Sequence, residues 1–326
     1  MRVGFLSLGV CLPKRIMAND EWSRYVDTSD EWIRERTGIE RRRIAGPEEG
    51  TATLAEGAAR AALDDASLQA ADLEEIILAT DTPEVYSPDT AAIVQHGLGC
   101  REIPTYDLAG SGCAGFLQGV DIACSRVRTG RRNVLVIGVE VISRIMSWQD
   151  RNTCVLFGDA AAAAIVGPVN GAGEVLAVVA GTEGGKAGIL GKEIGGTRRP
   201  FGPEHVASGE YNRLIMNGRE VYKEAVTRMT AAAREVLDRA GKRVEDVTLF
   251  VPHQANLRIL HSVAEHLQLP LERVYINVQD YGNTGSASVP LALWEARAKG
   301  RVRPGDLVLL TAFGAGFHWA AALIQY

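Results

Sequence analysis

The chain has no excess of basic residues, no long apolar run and no paired cysteines, and each absence removes a class of protein. Its 35 lysines and arginines stand against 40 aspartates and glutamates, a net charge of −5. A general nucleic-acid binder is usually basic, so no nucleic-acid partner is expected. The longest apolar stretches, such as Ala160 to Val169, fall well short of the ~20 residues a membrane span needs, so no membrane partner is expected either. Val3 to Leu12 is apolar, but only Arg2 gives it a basic flank and no small-x-small cleavage site follows. It reads as a first buried strand, and the protein as cytoplasmic. The five cysteines, at 11, 100, 113, 124 and 154, are odd in number and include no Cys-x-x-Cys pair. Neither a disulfide framework nor a metal site is indicated, and each cysteine reads first as a small buried hydrophobe.

What is present is ordinary globular material. The 326 residues suggest about two domains, or one large fused one. Hydrophobic residues make up 46% and charged residues 23%, which excludes a disordered chain. Gly is unusual, at 35 of 326 or about 11% against a usual ~7%. The excess implies tight turns and close backbone approaches.

The order of elements occurs twice. Leu54 to Asp65 is an Ala-rich helix, and the strand Ile76 to Ala79 follows it. Pro104 to Leu108 is a strand that enters a small-residue turn, Ala109 to Cys113. A helix to about Arg128 and the strand Val134 to Val139 complete the unit. In the second half the helix is Met229 to Ala240 and the strand Leu249 to Val251. A strand at Val274 to Val278, a turn at Tyr281 to Ser286, a helix to about Lys299 and a strand at Leu307 to Thr311 repeat the order. The pattern predicts an α/β protein of two similar halves, 1–170 and 171–326. Gly181 to Arg213 is Gly-rich, charged and weakly periodic, and reads as an ordered surface excursion.

Ligands of such folds gather at the carboxyl ends of strands, where Cys113, His253 and Asn283 stand out. Cys113 lies between a strand and a helix in Ala-Gly-Ser-Gly-Cys-Ala-Gly-Phe. A helix N-terminus lowers a thiol pKa toward the thiolate, which makes a nucleophile. The alternative is a buried cysteine in a glycine-rich turn. His253 follows an apolar strand in His-Gln-Ala-Asn, although most histidines are structural or surface residues. Asn283 lies in Gly-Asn-Thr-Gly, which is also common turn chemistry.

Together these segments resemble the β-ketoacyl-acyl carrier protein synthase III family. Asp27-Thr-Ser-Asp-Glu-Trp-Ile33, Arg36-Thr-Gly-Ile39, Asp150-Arg-Asn-Thr153, Phe157-Gly-Asp159, Met216-Asn-Gly-Arg-Glu220 and Phe313-Gly-Ala-Gly316 agree, so the resemblance spans the chain. It implies a thiolase-like fold in five layers and a decarboxylative Claisen condensation that initiates fatty acid synthesis. Cys113 would take an acyl group from acyl-coenzyme A. His253 and Asn283 would donate N–H bonds to the enolate formed when malonyl-acyl carrier protein loses CO2. The backbone N–H of Cys113 and the loop of Phe313, Gly314, Ala315 and Gly316 would hold the later oxyanion.

The resemblance also implies binding roles. Trp32 and Arg151 would sandwich the adenine of coenzyme A, with Arg36 and Thr37 nearby. Asn256 and Gly218 would line the pantetheine channel. Trp32 could equally be a core aromatic on a helix boxed by Thr28 and Glu31. Tyr86 and Ser87 would reach the acyl pocket across a homodimer, and Gln254, Arg258 and Lys223 would meet the acidic carrier protein. No resident cofactor or metal is implied, since acyl-coenzyme A is a substrate.

Three departures stand out: Ser111-Gly112 before the cysteine, Ser87 where some relatives have Phe, and His318 where Thr is commoner. Ser87 leaves the primer size open. The alternatives are a related acyltransferase or condensing enzyme of secondary metabolism, a cysteine hydrolase and a non-catalytic acyl-binding protein. A hydrolase elbow wants Gly at residue 111 and the order nucleophile, acid, His, and the intact Cys/His/Asn set argues against a mere binder.

Overall fold

The computed structural model describes residues 1–326. The first half contains β1 (Val3–Cys11), the short pair β2 (Arg15–Ala18) and β3 (Arg41–Ile44), and α1 (Asp30–Thr37) between that pair. It continues through α2 (Thr51–Ala66), β4 (Glu75–Thr80), α3 (Thr90–Leu98), β5 (Thr105–Ala109), α4 (Gly115–Arg128), β6 (Val134–Glu140) and β7 (Ala160–Pro168). The second half contains β8 (Glu174–Thr182), β9 (Leu190–Lys192), α5 (Pro203–Ser208), β10 (Leu214–Met216) and α6 (Gly218–Arg239). It ends with β11 (Leu249–Pro252), α7 (Leu257–Leu267), α8 (Val278–Tyr281), α9 (Ser288–Ala298), β12 (Leu307–Gly314) and β13 (His318–Gln325).

Nine strands share the order β11-β12-β13-β8-β1-β7-β6-β4-β5. The order β5-β4-β6-β7-β1 is mirrored by β11-β12-β13-β8, and only the pair Gly4–Glu174 joins the two at the seam. Period-two alternation explains the layering. In β6, Leu135, Ile137 and Val139 pack toward α2 and α3, while Val134 and Val136 pack toward α4. In β12, Val308, Leu310 and Ala312 join that same α4 core, while Leu307, Leu309 and Phe313 pack toward α6 and α7. Helices α4 and α9 are therefore the middle of five layers, and this is a thiolase-like fold. Strands covered on both faces read as continuous apolar runs, which is why β4 and β6 are wholly buried.

The strand expected at Val274 to Val278 does not form. Val274 makes one isolated bridge to Phe250, and Val278 already begins α8. The Gln254 side chain takes the place of a ladder. Its Nε2 donates to Pro252 and Tyr275 oxygens at 2.8 and 3.0 Å. Its Oε1 accepts from the N–H groups of Asn277 and Val278 at 2.9 and 3.2 Å. The period-two reading also passed over β8 and β13, which complete the second half. The segment from Gly181 to Arg213 is ordered, carrying β9 and α5.

Candidate active site

A cavity of about 660 Å³ is lined by Cys113, in the turn after β5, His253, just past the end of β11, and Asn283, in the turn after the short helix α8. Cys113 sits in a 3-10 turn, Gly112–Ala114, ahead of α4. Gly112 adopts φ +58°, and a Cβ there would lie 2.7 Å from the Ala315 nitrogen. A Cβ on Gly314 would lie 2.3 Å from the Cys113 nitrogen. Two missing side chains therefore let the Phe313–Ala315 loop press against the nucleophile turn.

The thiol does not behave as the helix terminus alone predicts. Burial raises the Cys113 pKa well above its ordinary value, and Asp81 and then Glu140 raise it further. Desolvation and two neighbouring acids outweigh the helix dipole.

His253 is also buried, which drives its pKa down to about 3 and keeps the ring neutral near pH 7. Its Nδ1 lies 3.0 Å from Ser288 Oγ. That oxygen accepts the Gln254 N–H at 2.7 Å, and Nδ1 is the one hydrogen-bond acceptor found within reach of its hydrogen, so we assign the tautomer in which Ser288 donates to Nδ1. Nδ1 then carries no hydrogen, and Nε2–H is the donor. Asn283 reaches the same condition by another route. Its backbone is clamped between Leu156 and Gly158 by bonds of 2.8 and 3.0 Å. Its Oδ1 accepts the Gly285 N–H at 2.9 Å, which leaves the Nδ2 hydrogens to donate.

Trp32, Arg36, Thr37, Arg151, Gly218, Asn256, Arg258, Phe313, Gly314 and Ala315 line the same cavity. The Arg36 and Arg151 guanidiniums each lie 4.7 Å from the Trp32 ring centroid. A ring stacked between two planes needs roughly 7 Å, so an adenine there has to displace Arg151. Arg151 is tethered to the Asp27 carbonyl at 2.8 Å. Helix α1 is capped by Ser29, whose Oγ accepts the Trp32 N–H at 3.1 Å, and not by a Thr28–Glu31 box. Asn256 caps α7, accepting from Arg258 and Ile259 at 2.9 and 3.4 Å, so only its amide N–H groups remain for a ligand.

Five expected site residues fall outside the cavity lining. Gln254 is buried with its amide spent on the backbone bonds above, which corrects its assignment to a carrier-binding surface. Lys223 is exposed on α6. Tyr86 and Ser87 are exposed, Tyr86 at 82%, and do not reach the cavity within one chain. Gly316 packs against the His318 ring.

Sequence reasoning missed Asp81, Glu140 and Arg219. Asp81 and Arg219 line the cavity. The buried Glu140 accepts the Asp81 N–H at 3.1 and 3.2 Å, Thr82 Oγ1 at 2.9 Å and Ser286 Oγ at 3.0 Å. It thereby ties the end of β4 to the turn that carries Asn283. An acid closing the fully apolar run Val134–Val139 was the available signal.

Two family models match, one described as 3-oxoacyl-(acyl-carrier-protein) synthase III over residues 106–184, the other as its C-terminal part over residues 237–326. The chain is 45% identical over 319 residues to the β-ketoacyl-(acyl-carrier-protein) synthase III of Roseiflexus sp. (strain RS-1), covering 98% of this chain and 96% of that one. It is similar to the solved 3-oxoacyl-(acyl-carrier-protein) synthase III of Aquifex aeolicus, with 42% identity and a TM-score of 0.92 over 99% of this chain and 100% of that one. It is also similar to a priming β-ketosynthase from a polyketide biosynthetic pathway, with 36% identity and a TM-score of 0.90 over 99% of this chain and 96% of that one.

Proposed function

The chain belongs to the 3-oxoacyl-(acyl-carrier-protein) synthase III family, and from that premise we propose which of its residues carry the reaction. The protein is an acyltransferase that performs the initiating condensation of fatty acid synthesis. Cys113 attacks the acyl-coenzyme A carbonyl. The Sγ–C bond forms, the C–S bond to coenzyme A breaks, and the proton from Cys113 Sγ passes to the departing sulfur, so that coenzyme A leaves as the thiol. The malonyl thioester of the carrier protein then loses CO2. His253 Nε2–H and Asn283 Nδ2–H stabilise the enolate oxygen, and its carbanion attacks the Cys113 thioester: the C–C bond forms, the C–Sγ bond breaks, and Cys113 leaves as a thiolate that takes up a proton. The groups invoked all belong to the chain, and acyl-coenzyme A is consumed as a substrate. Residues 1–170 supply the nucleophile and 171–326 the two donors.

The observation that carries these roles is the bonding around the donors. After every protein partner is counted, each keeps a neutral N–H to give, and both line the cavity of Cys113. A developing negative charge is stabilised by neutral donors without a proton leaving them.

Exposed cations line the same cavity at Arg36, Arg151, Arg219 and Arg258, suited to coenzyme A phosphates and an acidic carrier. Arg258 and Lys223 are assigned to the carrier. A homodimer is supported by the open edge of β5, where Tyr106 is 42% exposed, and by the exposed Val85 at 44% and Tyr86 at 82%. A partner seated there would bring its Tyr86 and Ser87 toward the acyl site. No helix is long and apolar enough to cross a membrane, in keeping with a cytoplasmic location. The similarity to a polyketide priming synthase favours a second reading, the same condensation serving a dedicated pathway.

The test is intact-mass detection of acyl-Cys113 across a panel of acyl-coenzyme A thioesters, each chased with malonyl-acyl carrier protein. Loading followed by β-ketoacyl product is expected. Loading without condensation on the chase would overturn the roles of His253 and Asn283.

A further inference from the structure

One cavity has to admit two thioesters of different charge. The primer acyl group must be captured by Cys113. The malonyl group carries a carboxylate and must pass the same thiol uncaptured. The charges lining the cavity are unevenly placed. Its arginines are exposed, and Asp81, exposed as well, is the only carboxylate among the 32 lining residues. Asp81 leaves the end of β4, and its Oδ1 accepts the N–H of Gly112, the residue before Cys113, at 3.1 Å. Its Oδ2 has no hydrogen-bond partner in the chain.

We propose that Asp81 is a specificity-determining residue of the acylation step. Its carboxylate excludes acyl groups that bear their own negative charge from forming a thioester on Cys113, which reserves the malonyl thioester for condensation. The proposal rests on the condensing function above. Like charges a few ångströms apart at an effective dielectric of about 20 repel strongly enough to shift a rate ratio about 10- to 100-fold.

The groups facing Asp81 are Glu140 from β6, Cys113 from the turn before α4, and His318 from β13. The Asp81 charge makes it harder for Glu140 to ionise. Burial and then the Asp81 charge raise Glu140 well above the ordinary carboxylate range, so it takes up a proton more readily, while the Gly112 N–H favours the charge on Asp81. His318 favours that charge, while the protein mass around Asp81 raises its own proton affinity. The anion, and the discrimination with it, is therefore lost as pH falls.

The experiment measures acylation of Cys113 by butyryl- and succinyl-coenzyme A, which match in carbon count and differ in a terminal carboxylate. The parent is expected to load butyryl and reject succinyl. In Asp81→Asn and Asp81→Thr the succinyl-to-butyryl ratio should rise about 10- to 100-fold. Asp81→Glu should keep the parent ratio. The ratio in the parent should rise toward acid pH and stay flat in Asp81→Asn. An unchanged ratio in both neutral variants, or equal loss of both substrates, would overturn the proposal while condensation stands. A parent that loads no acyl group from any thioester would overturn the condensing roles themselves.

Discussion

The two halves of the molecule build the same turn and use it differently. In the first, Gly112 at φ +58° opens a 3-10 turn that leads into α4. In the second, Gly285 at φ +56° opens a 3-10 turn that leads into α9. The residue after the glycine is Cys113 in one and Ser286 in the other. Cys113 opens to the cavity. Ser286 is buried and donates to Ala79 O at 2.9 Å and Glu140 at 3.0 Å. The second turn instead presents the residue two places before the glycine, Asn283. A repeated fold thus places two pseudo-equivalent turns together, and the partners of each side chain divide them between chemistry and scaffold.

The largest expected effect breaks that division at its centre. Cys113→Ala should abolish acyl-enzyme formation, read by intact mass. Ser286→Ala should keep acylation and lose roughly 1–3 kcal/mol of stability, because buried acceptors lose their donor. Label appearing elsewhere in Cys113→Ala would remove Cys113 from the nucleophile's place.

Next come the donors. Asn283→Ala should slow condensation by about 10²–10³, with a smaller effect on loading. Decarboxylation should show no histidine titration between pH 5 and 8, because His253 is neutral down to about pH 3. The same shift has a sign for stability. Below its ordinary pKa the unfolded chain protonates this histidine while the folded chain refuses the proton, so stability falls as pH drops toward 3.

A smaller effect tests the tie between the halves. A Cβ on Gly285 would lie 2.5 Å from Glu140 Cγ, at a backbone angle that favours glycine. Gly285→Ala should destabilise by more than about 1 kcal/mol and slow condensation more than loading, as Asn283 shifts. Thermal melting and the two half-reactions check this. The smallest change is at the surface. Arg258→Glu should raise the KM for malonyl-acyl carrier protein a few-fold, most at low salt, since exposed pairs are weak and screened.

Much of this was legible in the residues. Apolar runs bounded by small-residue turns marked β4, β6, β11 and β12, and the quoted motifs marked the cavity. Val274–Val278 was misread because apolar spacing cannot show that a glutamine side chain takes over the backbone bonding. The Cys113 pKa was misjudged because the dipole is local, whereas the burial that raises it most, and then Asp81 and Glu140 from distant strands, come only with the fold. Glu140 stands out only as an acid closing an apolar run, Asp81 does not stand out at all, and only the fold brings their charges to bear on the nucleophile.

The central claim is that the first half's turn captures the acyl group and the second half's donors act only afterwards. Loading His253→Ala with an acyl-coenzyme A the parent accepts, then adding malonyl-acyl carrier protein, measures this directly by intact mass over time. The account predicts that acyl-Cys113 forms and persists, with malonyl decarboxylation slowed about 10²–10³. Failure to load, or decarboxylation at the parent rate, would contradict it.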